Sequence, residues 1–230
     1  MRLATWNMGY WGHAGTHDAA WRWLLDELSP DIALLQECVV PRWLSKRYTV
    51  LFDRAYPHSK RQVWGTALLT NDLPVVPARL EEVEAWLSAL GDDAQQKCSA
   101  ARLGGWCVSA DVSMPDGSSV LVVSVHNQSF PIARNLLSET DLTGIKLALN
   151  RDVWLLDVLF YFVKHRLARP LLVGGDFNYS RLLDEPTPRG NAEFFDRLES
   201  EGFVSLHRRN TVSESSKSKN ETECALDPPS

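Results

Sequence analysis

Four apolar runs in the chain each end in a side chain able to ligate a cation, move a proton or hold an oxyanion. Leu3-Ala4-Thr5-Trp6 ends in Asn7, and Ile32-Ala33-Leu34-Leu35-Gln36 ends in Glu37. The run from Val120 to Val125 ends in His126 and Asn127, and Leu171-Leu172-Val173-Gly174-Gly175 ends in Asp176-Phe177-Asn178. Carboxylates and carboxamides are hard oxygen ligands that suit Mg²⁺, whereas zinc takes several His or Cys. A magnesium ion beside a His and a second carboxylate suits attack of water on a phosphate ester. The cation neutralises charge, the carboxylate orients or deprotonates the water, and the His stabilises or protonates. Asp176 and Asn178 are two apart, so an extended segment would aim both to one side and turn Phe177 into the core. Each residue alone has an ordinary reading as a turn residue or a solvated strand end. It is the set that carries the chemistry, provided the four strands are neighbours and their ends share one rim.

Periodicity predicts the elements that must hold these side chains. Residues 2–7 alternate as a strand, and Gly9 to Thr16 reads as a polar loop. Trp21, Leu24, Leu25 and Leu28 recur at helical spacing, which predicts a helix over Asp18 to Leu28, stopped by Ser29-Pro30-Asp31. Ile32 to Gln36 is a buried-strand type of run. Tyr48 to Phe52 and Val63 to Thr70 are further strands, and Glu81 to Leu90 is helical. Asp92 to Ala101 is polar and reads as a loop. Trp106 to Met114 and Ser119 to His126 form a hairpin around Pro115-Asp116-Gly117. Residues 128–150 make a long connection in which Arg134 or Lys146 could face a substrate. Arg151 to Leu167 predicts a deeply packed helix, Leu171 to Gly174 a strand, Asn191 to Glu201 a helix, and Phe203 to Leu206 a short strand. Helices and strands alternate around a central hairpin, which favours a layered α/β fold with a mixed sheet or two sheets. From Thr211 the composition turns polar and of low complexity. The division is a domain over 1–210 and a polar tail over 211–230.

The chain has 230 residues, 44% of them hydrophobic and 10% aromatic, enough to bury a core in one domain or two small ones. Its 24 basic and 29 acidic residues leave a net charge of −5, which argues against indiscriminate coating of nucleic acid. A phosphate substrate remains compatible if a metal supplies the positive charge. No run is long and apolar enough for a transmembrane helix, and the N-terminus carries no signal-peptide core. The expected location is therefore cytoplasmic, with Cys38, Cys98, Cys107 and Cys224 as reduced thiols in no zinc spacing.

The sequence resembles the endonuclease/exonuclease/phosphatase superfamily, in particular its deoxyribonuclease-like members. The matching pieces are Thr5-Trp6-Asn7, Pro30-Asp31-Ile32-Ala33-Leu34-Leu35-Gln36-Glu37 and Trp64-Gly65-Thr66-Ala67-Leu68-Leu69. They continue with Ser124-Val125-His126 and Gly174-Gly175-Asp176-Phe177-Asn178, in order and at the family's spacing. The resemblance covers residues 2 to about 207, with unmatched inserts near 85–105 and 128–150. It implies a four-layer α/β/β/α sandwich of two mixed, mainly antiparallel sheets. It also implies a hydrolase for phosphodiesters, most simply a nuclease, dependent on Mg²⁺, with Mn²⁺ as a substitute. Glu37 would bind the metal with Asn7 beside it. Asp176 would position or deprotonate the water, Asn178 would bond a phosphate oxygen, and His126 would sit near the leaving group. Asn127, Arg54 and Tyr56 are candidate substrate contacts, with Lys60, Arg61 and His58 close to the last two.

The resemblance departs on its C-terminal side. Family members continue into strands that carry a further Asp and then a terminal Asp-His pair. Here the sequence runs out at Cys224-Ala225-Leu226-Asp227-Pro228-Pro229-Ser230, and His207, beside Arg208 and Arg209, is the only His after Asn178. The expectations are a rate lowered by orders of magnitude and a sheet edge either open or covered in another way. Two other functional readings stay open. One is a phosphomonoesterase or phospholipase-type enzyme on inositol or lipid phosphates, helped by the aromatic loop Trp6, Tyr10 and Trp11. The other is a non-catalytic member that binds metal or phosphate only.

Overall fold

The structure is a computed structural model, and it describes residues 1–44, 47–56, 60–90, 105–164, 170–184 and 190–206. The side chain of Trp11, the loop over Asp92 to Ala101, His58, His207, Arg208, Arg209 and the tail over 211–230 lie outside the described residues. Among the described residues eight strands form two four-stranded sheets. In the first, β1 (Leu3–Asn7) pairs in parallel with β2 (Ile32–Cys38). That strand then pairs antiparallel with β4 (Gly65–Asn71), which pairs antiparallel with β3 (Tyr48–Arg54). In the second, β5 (Val75–Pro77), β6 (Cys107–Ser113) and β7 (Ser119–His126) run antiparallel, and β7 pairs in parallel with β8 (Leu171–Asp176).

The sheets face each other over Ile32, Leu34, Leu68, Val108, Ala110, Val112 and Val122. The outer face of the first sheet carries Ala33, Leu35, Ala67 and Leu69. These pack on Ala20, Trp21, Leu24 and Leu25 of the segment formed by α2 (His17–Trp23) and its continuation to Leu28. The second sheet turns Leu121, Val123 and Val125 toward α3 (Glu81–Ala89), α4 (Leu155–Val163) and α5 (Asn191–Ser200). Four layers result. They explain why β2, β4 and β7 read as continuous apolar runs: each is covered on both faces. They also explain why α4, Leu-Leu-Asp-Val-Leu-Phe-Tyr-Phe-Val, is apolar nearly all round.

Several local expectations are corrected. The loop over Gly9 to Thr16 is wound into a short helix α1 (Tyr10–His13) and a 3₁₀ turn at Ala14–Thr16. The helix expected over Asp18 to Leu28 widens at Leu24–Leu28, where the Ser29 N–H reaches back five residues to the Leu24 carbonyl at 2.9 Å. The helix expected from Arg151 begins only at Leu155. The Asn150 side chain accepts the Asp152 N–H at 3.1 Å and Trp154 is extended, so residues 150–154 are already committed to a turn. Phe203 to Leu206 is not a strand. No described strand lies beside it, and Val204 and Leu206 are 82% and 68% exposed. The three-residue β5 carries no sequence signal, because it holds a proline and pairs only at the sheet edge. Among the described residues β8 is the outermost strand of its sheet, and all six of its residues are half-buried.

The one charge inside α4 leads to a stability prediction. Burial pushes the Asp157 carboxyl up to about 7, outweighing the Trp154 N–H bond and the Arg197 charge that pull it down. The fold therefore favours the neutral acid. That contribution is complete below the unfolded value near 4 and is lost as pH rises through about 7. Asp157→Asn removes the group that titrates. Urea denaturation between pH 4 and 8 should show the wild type losing stability relative to the variant, by on the order of 4 kcal/mol at about 1.4 kcal/mol per pH unit. Parallel pH profiles for the two proteins would contradict it.

Candidate active site

Parallel pairing is what gathers the site. The C-terminal ends of β1 and β2 lie side by side, with Asn7 opposite Gln36, and those of β7 and β8 likewise, with His126 opposite Asp176. Because β1 and β2 pack across the sandwich on β7 and β8, all four ends meet at one rim. Asn7 stands in the middle. Its Nδ2 donates to Asp176 Oδ2 at 2.8 Å and to Glu37 Oε1 at 3.2 Å, and its Oδ1 accepts the Gly9 N–H at 3.0 Å. His126 Nε2 lies 3.5 Å from Glu37 Oε1 and 4.0 Å from Asp176 Oδ2.

Two of these positions hold backbone that L-residues adopt rarely. Glu37 has φ 48°, at an irregularity in β2 between Leu35 and Cys38 that breaks the register with β4. The bulge changes which way the strand end faces: Cys38 packs with the α2 layer, and Gln36 points between the sheets, its Nε2 donating to Ser124 Oγ at 3.2 Å. Asn178 has φ 50°. The expectation of an extended Asp-Phe-Asn is thereby corrected. The strand stops at Asp176, and the Asn178 N–H folds back onto Asp176 Oδ1 at 3.0 Å in an Asx turn. Phe177 does turn inward, edge-on to Phe160 at 5.9 Å. Asx turns tolerate left-handed Asn, but a left-handed Glu is a cost accepted at the site.

His126 is buried between two tryptophans, its ring centroid 5.6 Å from Trp64 and 5.1 Å from Trp106. Burial lowers its pKa, and the Glu37 and Asp176 charges partly oppose that. Among the described residues its Nδ1 has no hydrogen-bond partner. Tyr56 stands edge-on to both tryptophans, so it touches the histidine's aromatic wall. Arg54 ends β3 and gives one Nη2 bond to the Gln62 carbonyl at 3.1 Å. Arg134 is paired with Asp152 at 2.7 Å, and Lys146 is exposed.

Asn127 is fully buried and bonded on every side within the chain. Its N–H donates to the Asp176 carbonyl and its Nδ2 to the Phe177 carbonyl, both at 2.8 Å. Its Oδ1 accepts the Leu156 N–H at 3.2 Å, and its carbonyl accepts Asn178 Nδ2. It braces the Asp176 turn and does not face the rim. Gln36, Asp157 and Tyr179 also support the site and were not singled out from sequence. The signal for Asp157 was present, as a single carboxylate inside an apolar helix.

A divalent cation fits the donor chemistry. Among the described residues no group of three His, Cys, Asp or Glu side chains forms a cage. Two carboxylates and a carboxamide at the rim are what a hard cation that keeps most of its water needs. Glu37 is the residue that would hold it, and Asn7, whose Nδ2 faces the carboxylates and whose Oδ1 accepts the Gly9 N–H, would join it through the second lone pair of Oδ1.

No protein-family model matches the chain, and a search of curated proteins gives no match. Solved structures do match. The endonuclease domain of TRAS1, a telomere-specific non-LTR retrotransposon, aligns over 90% of this chain and 73% of its own, with TM-score 0.50 and 14% identity. The AP endonuclease LMAP from Leishmania major aligns over 86% of this chain and 65% of its own, with TM-score 0.49 and 15% identity. TDP2 from Caenorhabditis elegans aligns over 83% of this chain and 51% of its own, with TM-score 0.45 and 15% identity. The likeness at this identity is one of fold. The alignment with the TRAS1 domain agrees with the two facing mixed sheets, and the chain shares the fold of that domain.

Proposed function

We propose that this chain is a phosphoesterase that hydrolyses a phosphodiester, most simply in a nucleic acid, with Mg²⁺ or Mn²⁺ held by Glu37 and Asn7. The observation that carries the reading is the meeting of Asn7, Glu37, His126 and Asp176 from four separate strand ends within 4.0 Å of a neighbour in the set. A bound cation would neutralise charge developing on the phosphate. Asp176 uses one lone pair of each oxygen on Asn178 N–H and Asn7 Nδ2, and keeps others to orient or deprotonate a water. Asn178 Nδ2 gives one hydrogen to the Asn127 carbonyl and has a second for a phosphate oxygen. His126, desolvated between its tryptophans, faces the same oxygens through Nε2 and would stabilise or protonate the leaving group. The likeness in fold to an endonuclease domain supports the same class of chemistry.

The test is hydrolysis of bis(4-nitrophenyl) phosphate and nicking of plasmid DNA, with Mg²⁺ and with excess EDTA. Turnover is expected with the metal, lost on chelation, and reduced about 10²–10³-fold in Glu37→Gln. Release of inorganic phosphate from monoesters without nicking would replace the proposal with a phosphomonoesterase. Metal or phosphate binding by calorimetry with no turnover on any ester would make the chain a binding protein.

A further inference from the structure

Nothing in the proposed chemistry uses Asp157 or Tyr179, yet both are tightly engaged beside it. Asp157 lies in the first turn of α4 and is 2% exposed. Its Oδ2 accepts the Trp154 N–H at 2.9 Å, and the Tyr179 hydroxyl donates to the two carboxylate oxygens at 3.3 and 3.4 Å. The same hydroxyl accepts Asn150 Nδ2 at 3.2 Å. The Tyr179 ring is stacked on Phe194, with centroids 4.6 Å apart and planes at 22°. Tyr179 is thus held at both its polar tip and its ring face.

The residue before it, Asn178, closes the turn that aims Asp176. Asn127 grips that turn from the other side, and its Oδ1 is bonded to the Leu156 N–H. Both ends of the segment 176–179 are therefore tied to one turn of helix, residues 154–157, by two independent routes. A buried carboxyl such as that of Asp157 is costly to desolvate, and apolar side chains of the same size would pack as well. What the hydrogen bonds add over packing is direction: they set the turn at one height and rotation against α4.

We infer that Tyr179, held by the buried side chain of Asp157, is a positioning residue that locks the Asp176–Asn178 turn to the first turn of α4. The locking stands on the hydrogen bonds alone. Its consequence for rate rests on the proposed function, because displacing a reacting group by about 1 Å costs on the order of 10²-fold.

Tyr179→Phe keeps the ring stack and removes the hydroxyl. Asp157→Asn keeps a single acceptor oxygen, which at the Oδ2 position is 2.9 Å from the Trp154 nitrogen and 3.4 Å from the Tyr179 hydroxyl and has a lone pair for each, and Asp157→Ala removes both oxygens. The measurement is residue-resolved amide exchange at Asn178 and Asn127, whose N–H groups bond Asp176, with amides of β4 as the internal reference. Exchange at both positions is expected to rise about tenfold in Tyr179→Phe and more in Asp157→Ala, to stay near wild type in Asp157→Asn, and to be unchanged in β4. On bis(4-nitrophenyl) phosphate, kcat is expected to fall about tenfold in Tyr179→Phe with KM unchanged. Should Asp157→Ala not fold, Tyr179→Phe decides alone. Unchanged exchange at Asn178 and Asn127 in Tyr179→Phe overturns the inference, even if kcat falls. Raised exchange in a protein whose wild type hydrolyses no ester upholds the locking and removes the proposed function.

Discussion

Asp176→Asn is expected to reduce phosphodiester turnover by about 10³-fold while the protein stays folded. The substitution keeps the shape of the side chain, and its remaining oxygen can still accept from one of the two present donors, Asn178 N–H or Asn7 Nδ2. It removes the negative charge and one acceptor at the point where four strand ends meet. An amide cannot take a proton from water, and its NH₂ would face the NH₂ of Asn7, which already donates to Glu37. General-base contributions are worth about 10²–10⁴-fold, so the loss should far exceed any effect on stability. Steady-state kinetics on bis(4-nitrophenyl) phosphate, paired with circular dichroism and a thermal melt, make the measurement. A variant with wild-type kcat and an unchanged melt would refute the role given to Asp176.

The second large effect belongs to a residue with no side chain. Gly175→Ala is expected to lower stability by about 3–5 kcal/mol, a fall in Tm of about 10 °C or more for a chain of this size. Gly175 has φ 144°, and a Cβ there would lie 1.9 Å from the Val125 carbonyl oxygen. That oxygen belongs to the neighbouring strand at the paired position, so relief requires β7 and β8 to part. Parting them also moves Asp176 away from His126, and activity should fall further than the melt explains. Two other glycines calibrate the prediction. At Gly174 the added Cβ meets the tip of Leu34 at 2.7 Å, a side chain that can shift, so Gly174→Ala should cost less. Gly117 has φ 84° but open space, so Gly117→Ala should cost only the backbone strain of about 1 kcal/mol. Equal melts for the Gly175 and Gly117 variants would mean that the strand contact is not as close as described.

Strands covered on both faces were legible from sequence because double burial demands an unbroken apolar run, as in β2, β4 and β7. The edges were less legible. Val75–Pro77 is too short and too exposed to show a pattern, and it is a strand only because β6 lies beside it. Phe203 to Leu206 shows the opposite case, an apolar stretch with no described strand to pair with. The start of α4 was set by the side chains of Asn150 and Asp157, which compete for backbone N–H groups that periodicity does not register. Left-handed Glu37 and Asn178 were hidden for a related reason. Glycine announces such a conformation, whereas Glu and Asn reach it only when their surroundings hold them there.

The types of the candidate residues, and their places at the ends of apolar runs, followed from the sequence by itself. A local pattern of burial decides where a strand stops and which polar side chain comes next. The tertiary structure decided which of these residues share a site. Asn7 and Asp176 bond across 169 positions of sequence, and they do so because β1–β2 and β7–β8 pair in parallel and then face one another across the sandwich. The same packing separates residues that look alike in sequence. Asn7 and Asn127 both follow apolar strands, yet one stands between two carboxylates and the other is buried beneath the turn that it supports. Local propensity cannot tell them apart, because the difference lies in which neighbouring layer covers each strand end.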